Sequence, residues 1–202
     1  MLAISLATTY AGIVRATALD LLRQYVTPEI ADRVAGLLLD PDPLVRAAAI
    51  PLQRAAPSNV RARRMGPLLD DDRRSVRLEA ARAILDLLAA GAPRALARSA
   101  RRAVGEYQAS LAAKADFPET QMAIAGTALV FRNFHAADRA FSEAVRMDPQ
   151  RVDAWSMIAR IRAAQGDVEG AANALRDGLA ANPNDASLTR ILTELRGSAR
   201  PK

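Results

Sequence analysis

"VRATAL" at Val14–Leu19, "VRAAAI" at Val45–Ile50 and "VRLEAA" at Val76–Ala81 repeat one phrase with a period of 31. A Val-Arg pair followed by small and apolar residues, recurring at a fixed interval, marks a stacked repeat. A helical pair that cannot bury both its faces alone buries them against copies of itself. Val45, Ala49 and Leu52 make one apolar stripe at helical spacing, and Val76, Ala80 and Ile84 make the next. Ahead of these stripes, "LLLDPDP" (Leu37–Pro43) and "PLLDDD" (Pro67–Asp72) each close one apolar helix and open another. Asp42 and Asp72 stand where an N-cap is needed, with Pro43 in the first turn of one copy. Pro51 falls mid-helix and, lacking an amide proton, is expected to bend it.

Composition agrees with a helical reading. Half of the 202 residues are hydrophobic but only 4% are aromatic, so Ala and Leu must fill the core. Close-packed helices favour such residues, whereas sheets lean on Val, Ile and aromatics. The chain has no Cys, which excludes disulfides, Cys-ligated zinc and covalent haem attachment within it. No apolar run approaches the roughly 18 residues of a membrane span. The opening "MLAISLATTYAGIVR" lacks a positive n-region and is not read as a signal peptide.

Residues 1–115 carry 17 Arg and Lys against 11 Asp and Glu, while residues 116–202 carry 11 of each. Beyond Pro118 the period also changes, to 34. Ala125 recurs as Ala159, Ala137 as Ala171, Phe141 as Leu175, and Asp148-Pro149 as Asn182-Pro183. The paired alanines are small where helices cross. Gly166 closes a helix, with Asn133 expected to take the left-handed turn in the first copy. Pro149 and Pro183 stop helices from running into the next repeat. Two such pairs are expected, followed by a helix over Asn184–Arg196. Between the halves, Pro93–Ala115 reads as one long connecting helix with Leu96, Ala100, Ala103, Tyr107 and Leu111 in a stripe.

The first half, on its "D…VR..A" frame, resembles HEAT repeats of the short variety. That resemblance implies that Arg15, Arg46 and Arg77 bond an Asp in the inter-helix turn or the adjoining repeat, with Asp42 and Asp72 as partners. The second half is similar to tetratricopeptide repeats, on Trp155, Ile158, Ala159, Gly166, Ala171 and Pro183. The expected architecture is all-α: a right-handed α-α superhelix (solenoid) of about ten helices. HEAT-like repeats occupy 1–92, a connecting helix 93–116, and two tetratricopeptide repeats with a capping helix 117–202.

The succession "VRATALDLL", "LLLDPDPLVRAAAI", "PLLDDDRRSVRLEAARAIL" and "EYQASLAAKADFPETQMAIAGTAL" also resembles the C-terminal region of large bacterial multihaem c-type cytochromes. The haem-attachment motif of that family is absent, so the resemblance implies lineage and periplasmic ancestry rather than electron transfer by this chain.

Signals for chemistry are sparse. His135 is the only His and opens a helix with no catalytic constellation beside it. Asp70-Asp71-Asp72 lacks the Gly and terminal Glu of a calcium loop and reads as a capping turn. No catalytic residue, metal or cofactor is expected, and the function indicated is a non-catalytic scaffold for protein partners. By tetratricopeptide consensus position, Met122, Gly126, Leu129, Val130, Ser156, Arg160, Ala163 and Arg190 line a groove suited to a short peptide or a helix with an acidic end.

Two alternatives stand beside that reading. One is an accessory module of a multihaem cytochrome. The other is nucleic-acid binding through the twelve Arg between Arg54 and Arg102, centred on Arg61, Arg63, Arg64, Arg73, Arg74, Arg98, Arg101 and Arg102, with Arg94 among the twelve. It is the weaker of the two, since no aromatic is interleaved to stack on bases. No membrane contact is expected.

One period back from Ala31–Asp40 runs off the chain at Met1, leaving Leu2–Ala7 of a first helix. The apolar side of the next helix, with Ile13, Leu21 and Leu22, is then expected to fray or to self-associate. The expected compartment is the cytoplasm if Met1 is the native start, and the periplasm if the chain belongs to a longer secreted protein.

Overall fold

The computed structural model describes residues 1–91 and 97–198. Among these residues the fold is all-α, with thirteen α-helices and no strand. The chain forms two compact units, Met1–Ala109 and Ser110–Lys202. Helices pack as neighbouring pairs within each.

Unit 1 is built from short helices: α1 (Leu2–Leu6), α2 (Gly12–Leu22), α3 (Pro28–Arg33), α4 (Pro43–Ala49), α5 (Ser58–Met65), α6 (Arg74–Ala83) and α7 (Leu85–Ala89). Helix α8 (Ala97–Ala112) follows. The expected stripes are buried: Val45, Ala49, Leu52, Val76, Ala80 and Ile84 all lie in the core.

The first helix of each pair is not one continuous helix, as the sequence suggested. It is a short α-helix followed by a 3-10 turn, at Ala35–Leu39 and Pro67–Asp70. Pro51 does not merely bend α4. It ends it, and the chain tightens into a 3-10 turn at Pro51–Ala55, because proline offers no proton to the carbonyl a turn earlier. The 3-10 turns add no α-helix; the count rises because the second helix of the last pair is split at Ile84 into α6 and α7.

The connecting helix is also shorter than its sequence reading. Pro93, Arg94 and Leu96 lie outside the described residues, and α8 stops at Ala112. A turn follows, and Phe117 takes the extended backbone that a residue before proline prefers.

Unit 2 repeats with a period of 34. Helices α9 (Pro118–Val130), α11 (Val152–Ala164) and α13 (Ala186–Ser198) each begin one period after the last, as do α10 (Phe134–Met147) and α12 (Val168–Ala181). Ala125, Ala137, Ala159 and Ala171 are all buried at the helix crossings. Ala125 and Ala137 share one core cluster with Phe141, Ala144 and Ile158. Ala159 and Ala171 share the other with Leu175, Leu188 and Leu192.

One turn differs from expectation. Gly166 is left-handed (φ 86°), but its counterpart one period earlier is Arg132 (φ 55°), not Asn133. Asn133 instead caps α10 by accepting a hydrogen bond from the Ala136 amide, as Asp167 caps α12 through the Gly170 amide. The last helix begins two residues later than its sequence reading. Asn184 is left-handed (φ 69°), and Asp185 caps α13 by accepting from the Ser187 and Leu188 amides. The Ser187 hydroxyl and these amides hold the Asp185 carboxyl below its usual range.

Candidate interaction surfaces

The Val-Arg arginines form an ordered relay through unit 1, in a different register from the one expected. Arg15 Nη2 donates to Asp40 (2.6 Å) and its Nε to the Ser5 carbonyl. Arg46 makes a two-pronged contact with Asp71 (2.8 and 2.9 Å) and reaches Asp72 (3.0 Å). Arg77 bonds Glu106 of α8 (2.9 Å). The remaining donors of Arg46 go to the carbonyls of Asp40 and Pro41, and those of Arg77 to the carbonyls of Asp71 and Asp72. Arg15 thus ties α1 to the next repeat, Arg46 ties its own turn to the next repeat, and Arg77 ties its turn to α8.

The main partners are Asp40 and Asp71; of the two expected acids, Asp72 is reached by Arg46 and Asp42 by none of the three. Asp40 and Asp71 face inward and accept from the amide two residues on, which fixes them toward the arginine. Asp42 is already committed to capping α4 through the Leu44 amide. Asp72 takes a secondary share of Arg46 and caps nothing, since α6 begins after Arg73 with no side-chain cap. The first repeat takes its acid, Asp40, from the repeat that follows it.

Burial pushes the Asp71 carboxyl up, but bonds from Arg46 and the Arg73 amide outweigh it and hold the group below its usual range. The bond that Arg46 donates to Asp71 raises the Arg46 pKa in turn.

The same pairing breaks up the basic region. Arg61 is tied to Asp86, and Arg64 to Asp32 (2.6 Å) and to the Gln53 amide oxygen. Arg73 lies 3.3 Å from Asp72, and Arg102 pairs with Asp70, which also accepts from the Ser99 hydroxyl. Arg63, Arg74, Arg98 and Arg101 are exposed. The structure therefore brings Arg61, Arg64, Arg73 and Arg102 to carboxylates, not to one another, and Arg94 lies outside the described residues. Of the three acids of Asp70-Asp71-Asp72, Asp70 pairs with Arg102, Asp71 with Arg46, and Asp72 with both Arg46 and Arg73. Among the described residues no group of three or more His, Cys, Asp or Glu is placed to hold a metal ion. No described helix is long and apolar enough to cross a membrane. His135 is exposed at the start of α10.

The expected groove residues all fall on the first helices of the repeat pairs: Met122, Gly126, Leu129 and Val130 on α9, Ser156, Arg160 and Ala163 on α11, and Arg190 on α13. Met122 and Leu129 are half-buried and pack against the core cluster. Arg160 and Arg190 are exposed, Arg190 with Glu194 at 3.0 Å. Ser156 opens onto a shallow depression with Arg151, Asp153 and Ser187.

Sequence reasoning missed Gly178, buried on α12, where Trp155 and Leu188 press against the backbone. It also missed Gln53, fully buried, which donates to the Ala31 carbonyl and accepts from Arg64.

In the first two helices of unit 1, Ile13, Val14 and Leu21 form an apolar face with Met1 and Ile4. Val14 and Leu21 are 44% and 47% exposed, whereas their counterparts one repeat on, Val45 and Leu52, are fully buried. Leu22, expected on this face, turns inward and is buried.

No curated protein matches the chain. Residues 128–195, which run from the end of α9 through α13, match the tetratricopeptide repeat family.

Proposed function

We propose that this protein is a non-catalytic interaction scaffold, in which the face made by α9, α11 and α13 takes a short peptide or helix with an acidic end. The observation that carries the reading is the tetratricopeptide match over 128–195, because repeats of this family commonly present the first helices of their pairs to protein partners. Arg160 and Arg190 supply exposed positive charge on that face, and Met122, Leu129, Val130 and Ser156 supply its half-apolar floor. Selection of a random peptide library on the full chain tests this. Enriched peptides should carry acidic residues, and R160E/R190E should abolish their binding. Neutral peptides that bind the variant equally well would refute it. The relay of Arg15, Arg46 and Arg77 supports reading the first half as HEAT-like repeats that serve the same scaffold.

A second reading concerns self-association. The exposure of Val14 and Leu21 beside the burial of Val45 and Leu52 supports pairing of this face with a second copy. Light scattering across a dilution series should show a dimer that Leu21→Asp converts to monomer; a monomer at every concentration would refute it.

A further inference from the structure

Where α4 gives way to the 3-10 turn at Pro51, unit 1 carries a recess of about 230 Å³. That is smaller than the roughly 300–1,000 Å³ of small-molecule pockets, and it fits one side chain rather than a drug-sized ligand. Ile50, Pro51 and Ala83 provide apolar surface. Around them stand four guanidinium groups, those of Arg23, Arg54, Arg61 and Arg82, against only two carboxylates, Glu79 and Asp86.

The two acids do not neutralise the four bases. Asp86 is tied to Arg61, and Glu79 reaches Arg82 only at 3.9 Å. Arg23 leans on Asp20 at 2.9 Å, outside the recess. Arg54 donates to the Arg23 carbonyl and has no carboxylate partner among the described residues. Arg61 is 11% exposed, and its Nε is a buried donor without a partner. Two exposed arginines with spare donors, beside apolar surface, suit an anion carried on a hydrocarbon stem.

We propose that this recess binds an acidic side chain of a protein partner. Arg54 and Arg82 take its carboxylate, and its methylenes lie on Ile50, Pro51 and Ala83. The site lies within unit 1 and does not depend on the reading of α9, α11 and α13.

The test uses the full chain in an R160A/R190A background, so that the unit 2 face cannot contribute. A fluorescein-labelled peptide of alternating glutamate and leucine is titrated by anisotropy, against the same peptide with glutamine for glutamate. The glutamate peptide should bind and the glutamine peptide should not. R54A/R82A should weaken binding about tenfold, because charge-assisted hydrogen bonds are lost. R63A/R74A removes the same charge from exposed positions outside the recess and should leave affinity within about twofold, the effect of screened surface charge. Circular dichroism checks that both variants keep the helical fold. Equal binding of the two peptides, or equal weakening by the two double variants, would overturn the proposal. So would binding of inorganic phosphate with no binding of the peptide, which would make the recess a free-anion site.

Discussion

Replacing Gly178 and Gly126 by alanine applies the same chemical change to two helices of one unit, and the structure assigns the two opposite signs. At Gly178 on α12 a new methyl would stand 2.8 Å from Trp155 Cγ, 3.0 Å from its Cβ and 3.1 Å from Leu188 Cδ1. Ordinary carbon contacts lie at about 3.5–4.0 Å. Neither neighbour yields freely, because the Trp155 indole N–H donates to the Pro149 carbonyl at 2.9 Å and Leu188 is fully buried. Overpacking of this kind costs about 1–3 kcal/mol, against a helix-propensity gain of roughly 1 kcal/mol for alanine over glycine.

At Gly126 on α9 nothing lies within 4 Å of the added methyl, so the propensity gain stands alone. G178A should therefore lower stability by about 1 kcal/mol, within that range of overpacking costs, and G126A should raise it by about as much. Trp155 is the only tryptophan and lies in unit 2, so its fluorescence during urea unfolding reports this unit alone. With a urea slope of about 1–3 kcal/mol per molar, the two midpoints should separate by roughly 1 M. If G178A raised the midpoint as much as G126A, the close approach of α12 to Trp155 would be wrong.

Removing Arg15 should destabilise unit 1 by about 3–5 kcal/mol, because Asp40, like Arg15 only 6% exposed, would stay buried without its counter-charge; chemical denaturation of R15A, D40N and the double variant measures the coupling. The Asp71 carboxyl is held down in the folded state, so its contribution is present above about pH 4, the ordinary Asp value, and lost as pH falls below it. D71N should be less stable than the parent at neutral pH, and the gap should close on acidification. Ala159→Leu should loosen the second tetratricopeptide pair by about 1–3 kcal/mol, whereas His135→Ala, at an exposed position, should leave thermal unfolding unchanged. Arg132→Gly should stabilise by about 1 kcal/mol by relieving a left-handed side-chain-bearing residue, again by thermal unfolding.

Periodicity was the legible part. Val45, Ala49 and Leu52 declared a buried face because helical geometry leaves few other uses for apolar residues at that spacing. The longer period of unit 2 placed α9 through α13 for the same reason. Hydrogen-bond partners were less legible: "DPDP" and "DDD" each contain more than one acid that could cap a helix or face an arginine. Only the path of the turn decides that Asp40 and Asp71 face inward. The left-handed turn was misplaced because Asn is the familiar substitute for Gly, while strict counting back from Gly166 reaches Arg132. Gly178 did carry a signal, since Ala144 stands one period earlier and is also buried. Small residues at that step mark a close approach whichever helix presses on them. The groove residues are a different case. Their helices are set by the repeat, whereas their degree of exposure is set by how those helices pack.

The arginine relay places a rule on how unit 1 can grow. Arg15 and Arg46 each find their acid 25 residues downstream, and the two links are themselves one full period apart. A duplicated segment of one such period would arrive with its own arginine and its own inward aspartate, and both flanking copies would still meet a partner. A segment of any other length would carry the acid around its turn and strand a buried guanidinium. The terminal link is different: Arg77 reaches 29 residues to Glu106, a longer side chain on α8. Lengthening by whole modules is therefore open throughout the series, and whichever arginine comes last must be the one that meets Glu106 on α8.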